Sequence, residues 1–396
     1  MNQGGLFNRS VLAMGVVMVA GMANAGYVQY GAGMQAIITG SVENAALNVQ
    51  TSNTWRNTAT ALPYTTQASF ALPLCDAVVN SRLVMTVWGA TRDYRYALTV
   101  CVNGITNSAT PMIIGGTGDS NSVFVASNAC AYGTGSGVWL VTVPIPPNNL
   151  YTNGTPNNVS VTSAYGDGPS YDDGRIIHLT LMTVYQKASL FNQFSYAIAE
   201  GSGDIYKNQA GATNSVSAAW GSLNASDLLS SRLYALYTYG DSNQNDRLYF
   251  NGIQYGTDDV ANKQNNYTAL TYVPDLVSFN VTNLLSTNVV RFSVSTNEIP
   301  GTCETSLRPQ AVAFGITREP VFTLRNFSIS ESGAATFAWI STTARTYSVQ
   351  SSTNLLYTNG WNNLGGYVDI PGTNGLMHIL ATATNTGTVF FRLLKQ

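Results

Sequence analysis

Acidic and amide side chains crowd the stretch Asp241-Ser-Asn-Gln-Asn-Asp246, which begins like a calcium loop. Oxygen donors from Asp241, Asn243, Asn245 and Asp246 would suit a hard cation. The glycine such loops place sixth is here Asp246, however, and the closing twelfth-place glutamate is Gly252. A polar hairpin turn accounts for the same residues, so no cofactor is expected and calcium is the one candidate metal. Asp167-Gly-Pro-Ser-Tyr-Asp-Asp173 is a second acidic loop. A carboxylate pair for glycoside cleavage would have to come from Asp167, Asp172, Asp173, Glu200, Asp241, Asp258 or Asp259, and their spacing singles out none. No Gly-x-Ser-x-Gly elbow is present, and the two histidines, His178 and His378, stand far apart in the chain. His178 falls mid-strand on the outward parity. The expectation is a protein that is not an enzyme.

Aromatic side chains offer a different chemistry. Trp88, Trp139, Tyr237, Tyr239, Tyr249 and Tyr255 fall near strand ends, where rings can stack on sugars. Trp88, Trp139, Tyr239 and Tyr255 are taken as ligand-binding candidates, with core packing as the competing fate. Four cysteines, Cys75, Cys101, Cys130 and Cys303, read first as disulfide partners in an exported chain. One bridge plus two free thiols, or a link between subunits, is the alternative. Their wide spacing does not suit a metal site.

These residues must be carried by strands. Of 396 residues, 45% are hydrophobic and only 10% charged, against about 25% charged in ordinary globular chains. Thr, Val and Tyr favour half-buried strands, and Asn and Gly favour the turns between them. The net charge of −2 argues against nucleic acid as a partner. So weakly charged a surface has little self-repulsion, which favours association with itself or with other surface proteins. An extracellular glycan is the other partner it suits.

Arg9 precedes the apolar run Val11–Ala20 and the small residues Ala23-Asn24-Ala25. This pattern predicts a secretory signal peptide over residues 1–25, cleaved after Ala25, with no membrane span after cleavage and an extracellular or cell-surface location.

An internal echo sets the architecture. Ser81-Arg82-Leu83 leads to Asn103-Gly104-Ile105, and Ser231-Arg232-Leu233 leads to Asn251-Gly252-Ile253. Asn-Gly after an alternating strand is a strong hairpin signal, because both residues tolerate positive φ. Leu83–Trp88 is apolar on both parities and reads as a central strand. Val138–Val143, Asn157–Val161 and Ile176–Val184 complete the first copy. In the second, Leu233–Tyr239, Leu248–Phe250, Leu276–Val281, Asn288–Val294 and Ala311–Thr317 retrace the order. Val290, Phe292 and Val294 face inward there, with Arg291 and Ser293 outward. Phe194–Asn224 should open the second unit, and Ser217–Leu229 is predicted to hold a short helix. The fold class expected is all-β: two tandem antiparallel jelly-roll-like β-sandwiches over residues 26–190 and 191–320, then a small fibronectin-like β-sandwich over 321–396.

Two resemblances add to this reading. Ser231-Arg-Leu-Tyr234, Tyr249-Phe-Asn-Gly252, Phe279–Leu285 and Tyr196–Gly201 resemble a family of secreted and cell-surface proteins classified only as a domain of unknown function, over roughly residues 75–320. The first copy departs from its pattern at Val141–Pro146, and no catalytic residues come with the family. Phe337, Trp339, Tyr347, Ser352, Asn354-Leu355, Trp361 and Phe391-Arg392 are similar in order to a C-terminal β module of secreted bacterial proteins, which implies surface retention or sorting. Together these point to a structural or adhesive surface component, with glycan binding as the alternative.

Overall fold

The computed structural model describes residues 35–55, 61–89, 94–115, 122–125, 137–168, 174–201, 205–206, 215–223, 226–238, 245–258, 260–261, 274–294, 306–322, 324–330, 334–343, 345–356, 360–382 and 389–396. The predicted signal peptide lies outside these, as do Cys130, Cys303, Tyr239, Asp241 and Asn243.

The chain begins with β1 (Gln35–Glu43), β2 (Ala45–Asn53), β3 (Tyr64–Phe70), β4 (Ala77–Gly89), β5 (Tyr96–Val102) and β6 (Ile105–Thr106). It continues through β7 (Met112–Ile114), β8 (Ser122–Val125), β9 (Gly137–Pro144), β10 (Asn157–Tyr165) and β11 (Arg175–Gln186). The second unit holds β12 (Gln193–Glu200), β13 (Ile205–Tyr206), β14 (Ser215–Gly221), β15 (Leu228–Thr238), β16 (Asp246–Phe250), β17 (Ile253–Tyr255), β18 (Asp275–Asn280), β19 (Thr287–Val294) and β20 (Ser306–Arg318).

Two sheets form in each unit. In the first, β2-β11-β4-β9-β8 faces β3-β10-β5-β6; in the second, β12-β20-β15-β18 faces β14-β19-β16-β17. Strand for strand the two orders match: β2, β11, β4 and β9 correspond to β12, β20, β15 and β18. Every pairing is antiparallel and the connections are those of a jelly roll. The predicted duplication is therefore present in the topology itself.

Alternation builds each sandwich core. Val100, Val102, Val159 and Val161 from one sheet meet Leu83, Met85, Leu179 and Leu181 from the other. Val216, Ala218, Trp220, Leu248, Phe250, Val290 and Phe292 do the same against Leu233, Phe314 and Ile316. That alternation explains why the described residues of Ser217–Leu229 hold no helix. Val216, Ala218 and Trp220 repeat every second residue and point into the core, so the described part of the segment holds the end of β14, a turn at 226–227 and the start of β15.

A third apolar layer was not anticipated. Ala45, Val49, Val84, Trp88, Leu140, Met182 and Val184 of the first unit pack on Phe194, Tyr196, Ile198, Leu236, Ala311 and Ala313 of the second. The two sandwiches stack through their inner sheets, giving four β layers and three cores. Strand β11 is consequently buried from Arg175 to Val184 on both faces. Its apolar character on both parities has the same cause as that of β4.

The unit boundary also differs from the sequence reading. β1 pairs with β12, while β2, one residue later, pairs with β11. Residues 35–43 thus extend the second sandwich's inner sheet, although they precede the first. Asn44, at φ 54°, makes the turn from one sheet to the other.

Residues 325–395 form β21 (Arg325–Ile329), β22 (Ala334–Ile340), β23 (Thr346–Ser352), β24 (Asn362–Asn363), β25 (Ile370–Pro371), β26 (Leu376–Thr382) and β27 (Phe390–Lys395). One sheet runs β21-β22-β26; β23 gathers β24, β25 and β27 into the other. Phe337, Trp339, Tyr347 and Val349 fill the core between them. Arg345 and Lys395 hold this module to the second unit through Glu319, at 2.8 and 2.9 Å. No helix among the described residues is long and apolar enough to cross a membrane.

Candidate functional site

The structure corrects two of the ring-stacking candidates. Trp139 is buried in the first sandwich core, edge-on to Tyr96 at 5.9 Å. Trp88 is buried in the layer between the sandwiches, against Trp55. Each ring lies on a parity of its strand that faces a buried apolar layer, so core packing, the competing fate, is the one observed. Tyr255 is half-buried against Phe279, and its hydroxyl donates to Asn283 Oδ1 at 3.1 Å, so it fixes a turn. Tyr239 lies outside the described residues.

Of the calcium candidates, Asn245 and Asp246 are described. Asp246 is fully buried, and its Oδ1 accepts the backbone N–H groups of Val260 (2.8 Å) and Ala261 (3.0 Å). This carboxylate anchors a loop; burial, with smaller contributions from Asp246 and Asp275, holds the Tyr237 hydroxyl well above its ordinary pKa. Among the described residues, no group of three or more His, Cys, Asp or Glu could hold a metal. Cys75 and Cys101, both expected in bridges, carry free thiols. Cys101 is an outward residue of β5, and burial pushes the Cys75 thiol up.

Of the acids weighed for glycoside chemistry, Asp167, Glu200 and Asp258 are described, and each goes to a different arginine; Asp172, Asp173, Asp241 and Asp259 lie outside the described residues. Asp167 lies 2.9 Å from Arg95, and Asp258 lies 2.9 Å from Arg247. Glu200, fully buried at its side chain, receives a forked pair of bonds from Arg82 across the layer between the sandwiches, Nη2 to Oε2 at 2.8 Å. Nearby, His178 is wholly buried, although its parity points away from the first core. The second sandwich covers it. Its Nε2 donates to Gln310 Oε1 at 2.6 Å and stands 3.0 Å from Thr86 Oγ1. Gln310 is the extra residue of a bulge in β20, which aims it at the partner sheet. Burial lowers the His178 pKa to about 4, partly offset by the Gln310 bond, so the ring is neutral at ordinary pH.

The Asn-Gly turns carry matching clasps. Asn103 Nδ2 donates to Asn157 Oδ1 at 2.8 Å, and Asn251 Nδ2 donates to Asn288 Oδ1 at 3.0 Å. In each copy the turn Asn also accepts a strand N–H, from Asn158 or from Val289. Both turn glycines sit near φ +82°, where a Cβ would be strained.

Among the described residues, the solvent faces of the outer sheets also display polar rows. In the second unit, Ser217, Arg291, Tyr249 and Gln254 stand side by side across β14, β19, β16 and β17. The Arg291 guanidinium lies 4.2 Å above the Tyr249 ring. In the next row, Arg247 joins Ser215 and Ser293, and Asp258 ties Arg247 to Gln254 at 2.9 and 2.8 Å. Those bonds hold the Asp258 carboxyl below its usual range, the Gln254 contribution being the larger. The sequence places Arg291 outward and Tyr249 among the aromatics near strand ends, without taking Tyr249 as a binding candidate. The register that makes them neighbours was not in it.

A family model matches residues 32–311. The chain belongs to DUF3344, a family described as a protein of unknown function. No curated protein matches this DUF3344 chain in sequence. Among solved structures, dimeric latent PorU from Porphyromonas gingivalis aligns at 9% identity and TM-score 0.26, covering 80% of this chain and 32% of PorU. The chain thus spans about a third of that protein's length. PNGase F, a glycosylasparaginase from Flavobacterium meningosepticum, aligns at 10% identity and TM-score 0.25, covering 69% of this chain and 96% of the enzyme. The major capsid protein P2 of bacteriophage PM2 aligns at 9% identity and TM-score 0.18, covering 70% and 99%. Similarities this low carry no functional argument.

Proposed function

We propose that this DUF3344 protein is a non-enzymatic structural or adhesive component of an extracellular surface, exported through residues 1–25 and able to associate with itself. The supporting observation is the stack. The buried polar groups with the most chemical potential, His178 with Gln310 and Arg82 with Glu200, are spent joining one sandwich to the other. Two jelly rolls joined by an apolar layer and a buried ion pair make a stiff block, suited to bearing load. A surface with so little charge offers weak resistance to further packing. Purified residues 26–396 are expected to form oligomers or filaments by light scattering and electron microscopy, and the native protein should fractionate with the cell surface. Recovery solely as a soluble monomer in the medium would sink this reading.

Glycan binding is the second reading, and the row Ser217-Arg291-Tyr249-Gln254 favours it over the buried tryptophans.

A further inference from the structure

We propose that the solvent face of β14-β19-β16-β17 binds an anionic polysaccharide, with Arg291, seated on Tyr249, as the fork that grips its acidic groups. This rests on the glycan-binding reading and adds a site and a ligand class to it.

Three observations carry the assignment. Arg291 is exposed, and none of the ion pairs among the described residues includes it, whereas Arg82, Arg95, Arg247 and Arg345 are each paired with a carboxylate. A guanidinium seated over a ring is partly ordered before binding, and its planar fork of donors suits a bidentate grip on a carboxylate.

The second observation is the row itself. Three strand spacings span roughly 14 Å. Over that length Ser217 and Gln254 flank the Arg–Tyr pair, with Ser215, Ser293 and Arg247 alongside. Hydroxyls and amides in line on a flat face match a chain of hydroxyl-bearing rings. Two cations on a chain of net charge −2 are too few for a nucleic acid or an acidic membrane, which draw on many.

The third observation separates binding from folding. The corresponding row of the first unit is Gln67, Ser160, Cys101 and Thr106, on strands paired in the same order. The sheet forms there without an arginine or an aromatic ring, so the fold does not call for the Arg291–Tyr249 pair.

The test is affinity electrophoresis of residues 26–396 through polygalacturonate, dextran sulfate and neutral dextran, with thermal melts of every variant. Retardation by an anionic polymer and not by dextran is expected, weakening as salt rises. Which of polygalacturonate and dextran sulfate retards more identifies carboxylate or sulfate as the group gripped. Arg291→Gln should weaken binding about tenfold or more without moving the melt, Arg291→Lys should restore part of it, and Arg232→Gln should bind normally. Retention by dextran, undiminished in Arg291→Gln, would leave glycan binding standing and overturn the anionic site. Retention by none of the three polymers would overturn both.

Discussion

Gln67, Ser160, Cys101 and Thr106 occupy the same places in the first sandwich as Ser217, Arg291, Tyr249 and Gln254 in the second. Beneath the two rows the layers agree closely: Val159 and Val161 under one, Val290 and Phe292 under the other. The Asn103–Asn157 and Asn251–Asn288 clasps also agree. Duplication has kept what folds each unit and released what faces solvent. The two arginines of the echo diverge in the same way. Arg82 points into the layer between the sandwiches and grips Glu200, whereas Arg232 lies exposed over Tyr234 at 5.3 Å. Identical sequence signals thus acquire different roles according to what covers them.

The largest effect should come from breaking that contrast at Arg82. Arg82→Ala strands the buried Glu200 carboxylate and is expected to cost about 3–5 kcal/mol in urea unfolding. Arg232→Ala, at the equivalent place, should change stability by no more than about 0.5 kcal/mol. Replacing both partners, as Arg82→Met with Glu200→Leu, should recover most of the loss. Equal costs for the two alanine variants would remove the distinction between a covered and an uncovered place on the joining faces.

His178 sharpens the same contrast through pH. Its folded pKa of about 4 lies below the 6.5 of a free imidazole. The unfolded chain therefore binds the additional proton between those values. The contribution of the neutral ring is complete above about pH 6.5 and is lost as pH falls through 4, on the order of 3 kcal/mol in all. The urea midpoint should fall across that window and stay flatter in His178→Gln. A variant that tracks the wild type would exclude His178 as the titrating group.

Much of this fold was legible in sequence because parity and turn chemistry are local. The Asn-Gly hairpins, the repeated strand order and the inward residues of β10 and β19 follow from alternation alone. Parity does not say what covers the other face. His178 sits on an outward parity and is buried because a second sheet lies over it, and Trp88 is buried for the same reason. The pairing of β1 with β12 joins residues about 155 positions apart, a distance over which a local pattern carries no signal. Ser217–Leu229 was misread because small residues such as Ala218 and Ala219 suit a helix, and the packing of Trp220 decides otherwise. The Arg291–Tyr249 contact was half legible: the outward parity of Arg291 was visible, while its neighbour depended on cross-strand register.

Where the copies agree, equal responses are expected. Asn157→Ala and Asn288→Ala each remove a buried amide that spans a turn and its loop. Asn157 receives the N–H of Tyr151 and Asn288 that of Leu285, at 2.7 and 3.1 Å. Each substitution should cost about 1–3 kcal/mol by leaving buried partners unsatisfied. A large effect in one copy and none in the other would show that only one clasp supports its sandwich.

The smallest effect lies in the outer rows, and it separates the two outer faces most directly. Ser160→Arg with Cys101→Tyr writes the second row's pair into the first. An exposed cation–π contact contributes about 0.5–1 kcal/mol, so the melt should barely move. The sheet already tolerates that pair at the matching register, Arg291 opposite Tyr249 and Ser160 opposite Cys101. If the rows differ only in the side chains they display, the grafted face should gain retardation in polygalacturonate while Arg291→Gln is present in the same chain. A graft that folds and gains nothing would mean that Arg247, Asp258 and Gln254, which it leaves uncopied, are needed to set the geometry of the natural site.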